Sequence, residues 1–69
     1  MEIMSLIGMT VIDPNTMEII KIEKNELFMF NGVGIEKCMF LERCLNDENI
    51  AIPIEYYQFF KVLEEYYEG

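Results

Sequence analysis

The chain has 69 residues, 52% of them hydrophobic, and its 13 acidic residues against 5 basic ones and no histidine give a formal net charge of -8. Such a length holds a single domain, close to the limit below which a second subunit, a metal or disulfides must help to hold a fold. The charge speaks against direct contact with nucleic acid or an anionic membrane, because phosphates are held by Lys and Arg, while 4 Tyr, 5 Phe and many isoleucines speak against a disordered acidic tail.

In chain order, Ile3 to Ile12 is apolar and β-branched and reads as a strand, closed by Asp13-Pro14-Asn15-Thr16, whose Pro and Asx residues are turn chemistry. Met17 to Glu23 reads as the returning strand of a hairpin, with Ile20 and Ile22 on one face and Lys21 and Glu23 on the other. Lys24-Asn25 connects it to a third, aromatic strand, Glu26 to Phe30. Asn31-Gly32 is the strongest short-range turn signal in the chain. Gly32-Val33-Gly34 lacks the further glycine and the Lys-Ser/Thr of a phosphate-binding loop.

Ile35 to Leu45 fits two periods. A helix aligns Ile35, Cys38, Leu41 and Leu45, whereas a strand separates Met39, Leu41, Arg43 and Leu45 from Cys38, Phe40, Glu42 and Cys44. The turn before it and the polar Asn46-Asp47-Glu48-Asn49 after it favour the strand, hairpinned with Ile50 to Ile52. From Pro53 to Tyr67 the pattern is helical: Tyr56, Phe59, Phe60, Val62, Leu63, Tyr66 and Tyr67 share one arc, with Tyr57, Gln58, Lys61, Glu64, Glu65 and Glu68 opposite. Pro53 suits the first helical position. The expectation is an α+β fold, an antiparallel meander of about four or five strands with the C-terminal amphipathic helix packed on one face.

The absence of histidine removes the commonest general base and metal ligand. Cys38 and Cys44, six residues apart, would lie roughly 20 Å apart on a strand, too far to share a metal or a disulfide. They read as small hydrophobes kept reduced. No catalytic residue, metal or cofactor is expected, so the chain reads as non-enzymatic. Met1-Glu2-Ile3-Met4 places an acid where a signal peptide is positive, and no apolar run approaches the ~20 residues of a membrane span, which points to the cytoplasm. The 6 methionines read as core filler. The excess of apolar side chains predicts a homodimer, formed through the outer sheet face or an open edge.

The acids are the most informative polar feature. On a helix, Glu64, Glu65 and Glu68 sit at the negative end of the dipole, each unfavourable by a few tenths to ~1 kcal/mol. They either keep a greasy protein soluble or belong to a surface read by a basic partner. On the second reading they join Glu18, Glu23 and Glu26 near one hairpin end, making these six the candidate partner-binding residues. A structural or regulatory subunit of antitoxin or assembly-factor type, binding through an apolar surface, is the alternative.

In composition the chain resembles the small acidic bacteriophage proteins that take over a host, some of which imitate DNA in the basic clefts of nucleoid proteins, nucleases or polymerases. The resemblance covers the whole chain and rests on charge combined with a folded, aromatic body. It implies a dimeric, non-enzymatic inhibitor in the host cytoplasm, binding a basic nucleic-acid-handling protein such as histone-like HU and blocking its DNA or RNA site. One departure is that the acids here are dispersed from Glu2 to Glu68 rather than gathered in one dense run.

Overall fold

The turn at Asp13 forms as its composition dictates. In the computed structural model, which describes residues 1–64, the Asp13 carboxylate accepts the backbone amides of Asn15 at 2.8 Å and Thr16 at 3.2 Å. Seven strands follow in chain order: β1 (Glu2–Ser5), β2 (Met9–Ile12), β3 (Ile19–Ile22), β4 (Leu27–Val33), β5 (Cys38–Arg43), β6 (Asn49–Pro53) and β7 (Phe60–Glu64). Five make an antiparallel sheet in the order β6-β5-β4-β1-β7, and β2 and β3 form a separate hairpin.

The stretch Ile3 to Ile12 is therefore two strands rather than one. At the break the buried Ser5 hydroxyl donates to the Ile7 carbonyl at 2.5 Å, and the Leu6 amide donates to the Phe59 carbonyl at 2.8 Å. The bend resolves a conflict of partners. β1 is hydrogen-bonded on both sides, to β4 and to β7, while β2 pairs with β3 and folds back over the sheet.

The expected C-terminal amphipathic helix is not there, and the α+β assignment gives way to an all-β fold. Ile54–Phe59 is a 3-10 helix, and Phe60–Glu64 is a strand placing Ser5 opposite Phe60 and Ile3 opposite Val62. Aromatic and β-branched residues satisfy both periods, and the open edge of β1 decides between them: a strand there satisfies backbone groups that a packed helix would leave unpaired. Among the residues of the expected helical arc, Phe60 is buried in the core, whereas Leu63 is 39% exposed. Residues 65–69, which include Glu65, Tyr66, Tyr67 and Glu68, lie outside the described part of the chain.

Asn31-Gly32 is not a turn between strands. It lies within β4 as a bulge, where the register passes from Phe30 opposite Leu41 to Val33 opposite Met39, one residue extra on β4. Gly32 has φ +115°, which a side chain would resist. The chain reverses instead just beyond β4, where the Gly34 amide donates to the Cys38 carbonyl at 2.8 Å. Ile35 to Leu45 takes the strand alternative in β5, which buries Met39 and Leu41 and leaves Phe40 exposed.

The core lies between the inner face of the large sheet and the hairpin. Ile3, Phe28, Leu41, Ile52 and Phe60 come from the sheet, and Val11, Ile20 and Ile22 from the hairpin. Phe28 and Phe60 meet edge to face, centroids 5.8 Å apart. At one end, Arg43 stitches the layers together. Its Nη2 donates to the Lys21 carbonyl on β3 at 2.7 Å, Nε donates to Glu48 at 2.9 Å, Nη1 pairs with Glu26, and the guanidinium lies over the Phe28 ring.

Candidate functional site

Alternation along β1, β4 and β5 sends Ile3, Phe28 and Leu41 into the core, so their neighbours face outward. Register then fixes two transverse rows on the outer face. Glu42 stands opposite Met29, Met29 opposite Glu2, and Glu2 opposite the position of Glu64. Alongside, Leu27 stands opposite Met4 and Met4 opposite Lys61, and the Cys44 amide donates to the Leu27 carbonyl at 3.1 Å. The centre of this face is apolar, with Leu27 38% and Met29 36% exposed, and acids flank it.

Glu2 and Glu42 take part in none of the ion pairs among the described residues. Their effect is legible at Cys44, an exposed free thiol whose pKa is raised, first by local burial and then by the charges of Glu2, Glu42 and Asp47. A thiol so placed is a poor nucleophile. Cys38 is buried, and among the described residues no group of three or more His, Cys, Asp or Glu side chains is placed to hold a metal. No helix among these residues is long and apolar enough to cross a membrane.

The six acids singled out from the sequence meet different fates. Glu18 and Glu23 are exposed on the hairpin side of the molecule, Glu23 with Lys21 at 3.6 Å. Glu26 is not available to a partner in this way: its side chain is only 10% exposed and is held by Arg43, itself 13% exposed. Glu64 lies on β7 and not at a helix end, so the helix-dipole argument does not apply to it. Glu65 and Glu68 fall outside the described residues. Sequence reasoning missed Glu2 and Glu42, which lie forty positions apart; only the pairing of β1 and β5 on either side of β4 brings them together.

On the other side of the molecule a groove of about 460 Å³ runs between β3 and the β5-β6 hairpin, past Glu18, Ile19, Lys21, Arg43 and Glu48. Its charges are mixed, and the Arg43 guanidinium is already bonded to three acceptors. Its lining, among the described residues, holds no histidine or cysteine.

No protein family, curated protein or solved structure matches this chain.

Proposed function

We propose that this protein is a non-enzymatic acidic inhibitor that occupies the cationic site of a basic, nucleic-acid-handling protein and excludes DNA or RNA by charge imitation. The observation that carries the reading is the row Glu42–Met29–Glu2, two acids held on neighbouring sides of one sheet face with no cation in the row. Of the five basic residues, Arg43 is held by Glu26 and Glu48 and Lys21 lies beside Glu23, so neither offsets the acids of this row. Glu18, Glu23, Glu64, Glu65 and Glu68 remain in the proposal, and Glu26 leaves it. The proposed partner is a histone-like nucleoid protein, a polymerase or a nuclease, in the cytoplasm, as the resemblance to phage host-takeover inhibitors implies. A homodimer belongs to the proposal too, joined at β7, which ends the sheet.

The apolar-interface reading has its own support. Ile12 and Ile19 stand opposite each other on the hairpin, 51% and 74% exposed, near the exposed Met17. Salt separates the two: a charge-led contact weakens steeply with ionic strength and an apolar one does not. Capture from bacterial lysate at low and high salt, with and without competing duplex DNA, tests the proposal. Nucleic-acid-binding proteins released by salt and by DNA support it, and capture indifferent to both contradicts it.

A further inference from the structure

The outer face pairs charge with grease in a particular order. Across β5, β4 and β1 the row runs acid, methionine, acid, and Leu27 and Met4 lie beside it. Two strand spacings of about 4.8 Å put the Glu42 and Glu2 positions roughly 9.5 Å apart. In an α-helix, residues seven apart are separated by about 10.5 Å and lie on the same face as those at the third and fourth positions between them. A helix lying along this row with cations at i and i+7 and apolar residues at i+3 and i+4 would meet all three positions in order.

We propose that the outer face of β5, β4 and β1 receives an amphipathic basic helix of the partner, its cations over Glu2 and Glu42 and its apolar pair over Met29, Leu27 and Met4. The inference rests on the charge-imitation reading and narrows it to one surface and one partner shape. A second copy of this chain is the wrong occupant, because two such faces packed together would bring Glu2 and Glu42 of one near the same acids of the other. Charge complementarity selects a cationic ligand. The exposed methionine adds an adaptable apolar contact, since an unbranched thioether fits irregular surfaces. Lys61, the cation of the neighbouring row, lies on β7 at the margin. The pKa of the Cys44 thiol, next to this row, is raised first by burial and then by the charges of Glu2, Glu42 and Asp47.

The test uses the full chain and three synthetic peptides of about four helical turns: one repeating the cation–apolar–apolar–cation pattern with lysine and leucine, one of the same composition with the lysines on the opposite face, and oligolysine of equal charge. The patterned peptide is expected to bind roughly tenfold tighter than either control. Amide shifts should centre on Glu2, Met4, Met29 and Glu42. Met29→Ser, a change at a partly exposed position, should remove most of that advantage, read as binding per folded molecule at a temperature well below the melting transition of both proteins, and Glu2→Gln with Glu42→Gln should lower affinity for all three peptides. Equal binding of the patterned peptide and oligolysine, both lost on adding salt, overturns the helix inference and leaves the charge reading standing. Binding by none of the three, or shifts confined to the β2-β3 hairpin, overturns the helix inference and the assignment of this face together.

Discussion

The Asp13 side chain reaches across to the amide of Ala51, 38 residues later, with Oδ2 3.4 Å from the nitrogen. Ala51 lies on β6, the edge of the five-stranded sheet, and its amide points away from β5. One carboxylate thus ends the hairpin turn and satisfies part of a sheet edge, while Pro53 removes a further donor from the same strand. Asp13→Ala should destabilise the protein by ~1–3 kcal/mol, because two turn amides and a buried edge amide lose their acceptor. Chemical denaturation measures this, and a loss below about 0.5 kcal/mol would show that the edge is held otherwise.

Phe60 and Leu63 distinguish strand from helix at the end of the described chain. Phe60→Ala removes a core ring packed on Phe28 and should cost ~3–5 kcal/mol. Leu63→Ala, at a largely exposed position, should cost about 1 kcal/mol or less. Comparable large losses at both sites would restore the helical packing that the sequence pattern suggests.

What could be read in the sequence was local. The Asp13 turn, the alternation of Ile20, Lys21 and Ile22, and the framing of β5 between polar turns each follow from residues within a few positions of one another. What could not be read depended on distant pairing. Phe60-Lys61-Val62 alternates, yet the stretch from Phe59 to Leu63 also fits a helical stripe, and the choice was made by β1, more than fifty positions earlier. Asn31-Gly32 has turn chemistry but is absorbed as a bulge, because β5 still pairs with Val33 beyond it. The same limitation hid the acidic row, which no spacing along the chain announces, and hid the role of Glu26, whose charge is taken by Arg43, seventeen residues away.

Arg43 and Glu26 give the test of that last point. Arg43→Ala leaves the largely buried Glu26 without its cation and should cost ~3–5 kcal/mol. Glu26→Gln should destabilise as well, by less, since a neutral amide still accepts one of the guanidinium bonds. Partner binding per folded molecule should be unchanged in Glu26→Gln. Thermal melts read beside a binding titration decide this, and a stable variant with weakened binding would return Glu26 to the partner surface.

Cys44 supplies a chemical readout of the outer face. Its raised pKa lowers the thiolate fraction, so alkylation by neutral iodoacetamide near pH 8 should be slower than for an unhindered thiol, with Cys38 protected in the native protein. Glu2→Gln with Glu42→Gln should speed the reaction at Cys44 only in part, because burial is the larger cause. The sign for stability follows: with the folded pKa above the unfolded one, the thiol's contribution is intact below its ordinary pKa and is lost as pH rises through the folded value. An alkylation rate unaffected by removing both acids would deny that they act on this thiol.

The most direct measurement of the central claim is displacement of labelled duplex DNA from a histone-like nucleoid protein, a polymerase or a nuclease by this protein, compared with its Glu2→Gln, Glu42→Gln variant at two salt concentrations. Charge imitation predicts displacement at about 50 mM salt from at least one of them, an affinity falling steeply by about 200 mM, and a weaker inhibitor with a shallower salt slope when the two acids are neutralised. Displacement by the variant equal to that of the unaltered protein, with the same salt dependence, would contradict it.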